Sequence, residues 1–210
     1  MVKYIPNGYD ENLSKFKIDK ELVDKYNLKD KFTVVYIGNV GLAQNLDALV
    51  DIATKTKNNN TIQFIIFGEG AYKNNIENKI KKLNLTNIFA VGKIDYSKVY
   101  TILSYSKISF ISLKNKKMVD SVPTKMFDAL GLGCPILLLA KGDSCDILDL
   151  VKLGEHVEDE ELLNEKFECM IDNYQHYKQN ANYSIEYIKN NYSRRNIAKK
   201  FESEVLKYVK

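Results

Sequence analysis

Two aspartates, a lysine and a proline-started helix fall within one short segment, Asp120 to Pro135 (DSVPTKMFDALGLGCP). This grouping suits a cradle for a phosphate and a ribose. Pro123 fits the first turn of a helix, where its missing N–H forfeits no bond, and Ser121 stands where it can cap the free amides beside it. Gly133 and Pro135 then end the helix. A short helix with its amino end outward attracts anions, through free N–H groups and about half a positive charge from its dipole. Asp128 lies roughly 6–8 Å further along the axis, which leaves room for a sugar hydroxyl between acid and anion. The same spacing also suits a ligand-free protein in which Asp128 is a solvated helix residue, and spacing alone leaves both readings open.

The elements that must position this segment follow an alternating pattern. Strand-like apolar runs occur at Phe32 to Ile37, Ile62 to Phe67, Ile88 to Val91, Ile108 to Ser112 and Pro135 to Leu139. Helix-period faces lie between them: Leu46, Leu49, Val50 and Ala53, then Ile76, Ile80 and Leu83, then Val99, Ile102 and Leu103. This alternation predicts an α/β fold, a Rossmann-like doubly wound parallel sheet flanked by helices. After Gly154 the pattern predicts consecutive helices, the last carrying Ile197, Phe201, Val205 and Tyr208 within a basic tail. That terminal helix, residues 193–210, is expected to pack on its own domain, the alternative being a docking surface. In open parallel sheets ligands bind beyond the carboxyl ends of the strands. Gly38-Asn39-Val40-Gly41, Gly68-Glu69-Gly70 and Gly92-Lys93-Ile94 would share that rim with the DSVPTK segment.

Two relatives of this architecture fit poorly. A dinucleotide site wants Gly-x-Gly-x-x-Gly after the first strand, whereas Gly38 and Gly41 are followed by Leu42 and Ala43. A phosphate-accepting receiver domain needs acids beside the first strand, and GNVG supplies none.

Size and composition narrow the class further. At 210 residues the chain fits one large domain. Its longest apolar run, Cys134 to Ala140, has the length of a strand, not of a membrane span. Met1 to Asp10 lacks the apolar core of a signal peptide, so a cytoplasmic setting is expected. Cys134, Cys145 and Cys169 show no metal-ligand spacing and read as reduced, structural thiols. His156 and His176 are isolated, so no metal site is expected. The net charge is +4, carried almost wholly by lysines, with Arg194 and Arg195 the only arginines. Without a basic stripe interleaved with aromatics, nucleic acid is not an expected partner.

Taken in order, YIPNGYD (Tyr4 to Asp10), YIGNVGLAQNLDALV (Tyr36 to Val50), FGEG (Phe67 to Gly70), VGKI (Val91 to Ile94) and DSVPTKMFDALGLGCPI resemble landmarks of the C-terminal half of a group 1 family glycosyltransferase with the GT-B fold. The resemblance covers nearly the whole chain as one domain, with residues 1–11 similar to the segment that leads into this half. It implies a nucleotide-sugar donor, often a UDP-sugar, as substrate, and no cofactor. The base would be held by backbone around Lys93 and Ile94. Asp128 would bind the ribose hydroxyls, and Asp120 would stand near the donor sugar as the catalytic acid. Amides in the stretch Val122 to Thr124, those of Val122 and Thr124, with Pro123, Ser121, Gly38, Asn39 and Gly41 beside them, would form the diphosphate site. The implied reaction is glycosyl transfer, typically retaining, aided by electrostatic stabilisation of the departing nucleoside diphosphate.

The departures from the family pattern are informative. Both acids are aspartates where glutamate is usual, and each reaches about 1.5 Å less. Asn39 and Gln44 occupy places where many members carry an arginine and a lysine. Lys125 is then the candidate to neutralise the diphosphate, the alternative being a solvated first-turn lysine, and Lys93, Lys114, Lys116 and Lys117 could add field at a distance. The acceptor-binding half has no counterpart in this sequence. The chain is therefore expected to be inactive alone, working with an N-terminal acceptor-binding domain or a separate subunit, through which peripheral membrane contact would be made. The expected role is transfer to a surface polysaccharide or glycolipid in a bacterial type of cell. A non-catalytic interaction domain, or an epimerase or phosphorylase relative, are the alternatives.

Overall fold

The computed structural model describes residues 5–113 and 121–208. Its strands are β1 (Phe32–Ile37), β2 (Ile62–Phe67), β3 (Ile88–Gly92), β4 (Ile108–Ser112), β5 (Ile136–Leu139) and β6 (Gly154–Val157). They form one sheet in the order β3-β2-β1-β4-β5-β6, with each neighbouring pair parallel. The helices are α1 (Lys20–Lys25), α2 (Leu46–Lys55), α3 (Lys73–Lys82), α4 (Tyr96–Tyr105), α5 (Thr124–Gly131), α6 (Asp143–Val151), α7 (Leu163–Asp172), α8 (Tyr174–Tyr192) and α9 (Arg194–Val205). This is the doubly wound α/β sheet that the alternating pattern predicts. The strand order reverses between β1 and β4, and such a switch point opens a crevice at the carboxyl ends of the two strands.

The four strands β1, β2, β4 and β5 form because nearly all their residues are buried, on both faces of the sheet. Every residue of β2, IQFIIF, is buried, the continuous apolar reading expected of parallel strands covered by helices above and below. Phe64, Phe110, Phe127 and Phe167 are fully excluded from solvent, each worth about 1.5–3 kcal/mol of transfer free energy. In α2 the predicted face of Leu46, Leu49, Val50 and Ala53 is buried, and in α4 so are Val99, Ile102 and Leu103.

One expectation for the C-terminal third is corrected. The chain does not pass directly into helices after Gly154: residues 154–157 form the sixth strand, paired to β5 from Ile136↔Gly154 to Leu139↔Val157. Polar contacts rather than an apolar run hold this edge. Glu155 accepts hydrogen bonds from Lys166 Nζ at 2.8 Å and from Tyr177 Oη at 2.6 Å. The terminal helix packs on its own domain through α8, but buries no residue fully. Ile197 is half-buried, but Phe201, Val205, Leu206 and Tyr208 are exposed.

The lead-in is pinned where α8 passes into α9. The Tyr9 amide donates to the Tyr192 carbonyl at 2.7 Å, the Arg194 amide donates to the Tyr9 carbonyl at 2.9 Å, and Arg194 pairs with Asp10 at 3.0 Å. Tyr9 also lies on α5, where a Cβ added at Gly131 would meet its ring at 2.6 Å. Gly131→Ala is expected to cost about 1–3 kcal/mol through overpacking. For a domain of this size that is a fall of roughly 3–10 °C in the melting temperature, and an unchanged melting curve would show that the ring moves aside freely.

Candidate functional site

The crevice at the switch point is built by the ends of β1, β2 and β3 and by the start of α5. Gly133, at φ +71, and the Leu132 turn end α5 where the sequence places its stop. Its beginning differs by one residue. Pro123 is the residue preceding the first turn, not part of it, and the helix starts at Thr124. Among the described residues no side chain caps this end, so Ser121 does not play the predicted capping role: it lies two residues before the cap position, Pro123. The amino end of α5 thus keeps its amides uncapped by side chains.

Asp128 and Lys125 share a cavity of about 310 Å³ with Gly38, Asn39 and Thr124. A second cavity of about 350 Å³ adjoins it, lined by Lys93, Ile94, Phe67 and Glu69, and the two share Ile37, Gly38 and Asn39. The structure therefore brings together Gly38, Asn39, Thr124, Lys125 and Asp128 on one side and Lys93 and Ile94 on the other. Gly41, Ser121, Val122 and Pro123 line neither cavity. Asp120, with Lys114, Lys116 and Lys117, lies outside the described residues.

Asp128 is half-buried, and its Oδ1 is buried without a hydrogen-bond partner. Burial pushes its carboxyl up to about 6, against the opposing pull of Arg194 and of the Asp10 amide. At neutral pH it is an ionised acceptor with an unused lone pair, the group that a pair of hydroxyl donors would satisfy.

Lys125 is not the solvated lysine of the alternative reading. It is turned inward, with Nζ 4.1 Å from the centroid of the Tyr36 ring and donating to Tyr36 Oη at 2.9 Å. Burial pulls its ammonium down to about 8. Among the described residues no carboxylate lies within 4 Å of it.

The loop after β1 is held tightly. The Gly38 amide donates to the Phe67 carbonyl at 2.9 Å, and the Gly41 amide donates to Gln44 Oε1 at 3.2 Å. Both amides are therefore occupied, and what Gly38 offers a ligand is the space left by its absent side chain, beside Lys125 Nζ. Gly68 fits as closely behind this loop: a Cβ there would lie 1.8 Å from the Gly38 carbonyl oxygen.

Sequence reasoning missed Tyr96 and Tyr36. Tyr96 begins α4, lines the cavity opposite Asp128 and is 44% exposed. Burial of its phenol, then the nearby Asp128 charge, push it up to about 12. Its signal in the sequence is an aromatic a few residues past a rim glycine, Gly92. Tyr36 carried no such signal, because it sits inside an apolar strand. A larger cavity of about 700 Å³ lies between the lead-in and the α8–α9 junction, bordered by Tyr9, Lys15, Lys189 and Arg195. It holds neither Asp128 nor Lys125, and it is not on the strand rim. No group of His, Cys, Asp or Glu among the described residues is placed to hold a metal ion, and no described helix is long and apolar enough to cross a membrane.

Comparison with known proteins follows the same lines. The family model for glycosyl transferases group 1 matches residues 18–189. No curated protein matches the chain. Among solved structures, Anabaena Alr3699/HepE in complex with UDP and glucose superposes with a TM-score of 0.81 at 14% identity, over 97% of this chain and 56% of that one. Sucrose-phosphate synthase from Thermosynechococcus elongatus gives a TM-score of 0.80 at 17% identity, over 99% of this chain and 52% of that one. A point mutant of S. aureus TarM in complex with fondaparinux, alpha-GlcNAc-glycerol and UDP gives 0.67 at 17% identity, over 97% and 37%. At these identities the likeness is one of fold, and the chain spans little more than half the length of the first two structures.

Proposed function

Because the chain belongs to the group 1 glycosyl transferases, we propose that it is the donor-nucleotide half of a glycosyltransferase that moves a sugar from a UDP-sugar. The observation that carries this reading is the pairing, in one cavity, of Asp128, whose Oδ1 has no hydrogen-bond partner, with the Lys125 ammonium, which meets no carboxylate among the described residues. An anionic ligand that also carries vicinal hydroxyls satisfies both at once, and a nucleoside diphosphate is such a ligand.

In this reading the base lies in the cavity bordered by Lys93 and Ile94, where backbone groups recognise it. The ribose hydroxyls donate to Asp128. The diphosphate lies between Lys125 and the amides of Val122 and Thr124 at the head of α5, with Ser121, Pro123, Asn39 and Gly41 shaping the surrounding loops. The catalytic role on the donor-sugar side is assigned to Asp120 by its place in the family pattern. When the bond from the sugar to the diphosphate breaks, negative charge grows on the departing phosphate oxygen. A fixed cation in a partly desolvated site stabilises that charge more than the same cation in water. The donor is a substrate, and no cofactor enters the reaction.

The acceptor, a surface polysaccharide or glycolipid, would be held by an N-terminal domain or separate subunit. The exposed Phe201, Val205, Leu206 and Tyr208 of the C-terminal segment offer that half an apolar face. On this view the 210-residue chain is inactive alone, transfer is retaining, and the assembled enzyme works in the cytoplasm against the inner face of the membrane.

Titration with UDP, GDP and ADP, followed by amide NMR or calorimetry, tests the reading. A Kd near 0.1 mM for UDP, about −5.5 kcal/mol, is expected for half a cleft. Asp128→Ala removes charged hydrogen bonds worth about 1.5–3 kcal/mol and should weaken UDP by roughly 10- to 100-fold. Binding of all three nucleotides with equal, Asp128-independent affinity, or of none at millimolar concentration, would refute it.

A further inference from the structure

Tyr36 is the fifth residue of β1 and is completely buried. A strand buried on both faces needs only an apolar side chain there, and phenylalanine has the same shape. The hydroxyl nevertheless makes two bonds: it donates to the Asn39 carbonyl at 2.6 Å and accepts from Lys125 Nζ at 2.9 Å. The ring contributes a third contact, its face 4.1 Å from the same Nζ. Desolvation alone would drive a half-buried ammonium outward or toward a carboxylate. Here it is kept by a ring quadrupole and a neutral oxygen.

The choice of a neutral holder matters. A carboxylate in place of Tyr36 would fix the ammonium as firmly but cancel its charge, and would repel an incoming anion. A phenol fixes it and leaves the charge whole. The bond from Tyr36 Oη to the Asn39 carbonyl ties the same phenol to the loop after β1, so the ammonium and the floor of the cavity at Gly38 keep a fixed spacing. A Cβ on Gly38 would lie 2.9 Å from Nζ, which measures how closely the two are set.

We propose that Tyr36 is a positioning residue for donor binding, its ring face and hydroxyl together holding the Lys125 ammonium beside Gly38, where it meets the donor's diphosphate. This rests on the reading of the rim as a nucleotide-diphosphate site. Tyr36 touches no donor atom itself. It acts through Lys125, so its contribution must vanish when Lys125 is absent and must be confined to the phosphate-bearing part of the ligand.

A double-mutant cycle read with two ligands tests both requirements. UDP and uridine are titrated by amide NMR into the wild-type chain, Tyr36→Phe, Tyr36→Leu, Lys125→Met and the Tyr36→Phe/Lys125→Met pair. Tyr36→Phe keeps the ring and loses the hydroxyl, and is expected to weaken UDP about 3- to 10-fold while changing uridine less than about twofold. Tyr36→Leu loses both contacts and should weaken UDP about 10- to 30-fold. In the Lys125→Met background, Tyr36→Phe should change UDP by less than about twofold. Ring-current displacement of the Lys125 side-chain protons, present in the wild type and in Tyr36→Phe and lost in Tyr36→Leu, gives an independent signature.

A Tyr36→Phe effect of equal size on uridine, or one that persists without Lys125, or no effect on either ligand, would overturn the positioning role. If Tyr36→Leu fails to fold, Tyr36→Phe decides alone, since it preserves the buried ring. Failure of the underlying reading looks different: the wild-type chain itself would show no UDP-dependent shifts, or Lys125→Met would bind UDP as well as the wild type does.

Discussion

Asp128→Asn raises the stability of the ligand-free chain above pH 6 while weakening its affinity for UDP at least about tenfold. In the folded chain the carboxyl is pushed up to about 6, from 3.8, chiefly by burial. A carboxyl with a raised folded pKa binds its proton more tightly in the native state, so its contribution is fully present below pH 3.8 and is lost as pH rises through about 6. Wild-type stability should therefore fall between about pH 4 and 6 in a way the asparagine variant does not share. The difference should reach about 1–2 kcal/mol at pH 7, once solvent screening of a half-buried group is allowed for, or roughly 2–8 °C in the melting temperature. Tyr9, Tyr96, Asp10 and Arg194 surround the carboxyl, and burial holds the two phenols neutral throughout that window. UDP at about 100 times the wild-type Kd should close or reverse the gap between the two proteins, since it adds roughly 2.7 kcal/mol to the wild type and about 0.4–1.4 kcal/mol to a variant that binds 10- to 100-fold more weakly. Denaturation curves at pH 4, 5, 6 and 7 that stay parallel would show that the native carboxyl carries no penalty.

Gly68→Ala is expected to be the most damaging small substitution on the rim. Its Cβ would lie 1.8 Å from the Gly38 carbonyl oxygen and 3.1 Å from a Val40 methyl. The first of these is backbone, and Gly68 is itself tied to β3 by its amide, which donates to the Gly92 carbonyl at 2.8 Å. Neither side can give way without parting the β1 loop from β2. A loss of about 2–4 kcal/mol and at least a tenfold loss of UDP affinity are expected, at the severe end of overpacking. Gly41→Ala is the control. Its neighbours at 2.8 Å are the ends of the Asn39 and Gln44 side chains, which can swing away, so its melting temperature should stay within a few degrees. Equal effects of the two changes would mean that rim-loop geometry does not govern binding.

The sequence revealed these features unevenly, for physical reasons. Phe32–Ile37, Ile62–Phe67 and Ile108–Ser112 stand out as strands because a parallel strand covered on both sides must be largely apolar. That same uniformity hid Tyr36: where every position of a strand is buried, no alternation tells which side chain points toward the rim. The sixth strand was hidden for the opposite reason, since Gly-Glu-His-Val at a sheet edge is secured by backbone pairing and by Glu155, neither of which leaves an apolar trace. In the cradle itself, spacing placed Asp128 one turn inside α5, but the inward turn of Lys125 depends on a residue nearly ninety positions away. Asn39 and Gln44 read as a loss of charge from the loop. The structure shows that Gln44 satisfies the Gly41 amide and that Lys125 brings an ammonium to Gly38 from the opposite side of the crevice.

The staple that fastens Tyr9 and Asp10 to Tyr192 and Arg194 also reaches the cavity. Arg194 and the Asp10 amide both lower the proton affinity of Asp128. The acidity of the pocket is therefore partly set from the place where the polypeptide comes in and goes out, and any strain that separates Arg194 from that carboxyl makes it a weaker acid and a poorer grip for hydroxyl groups.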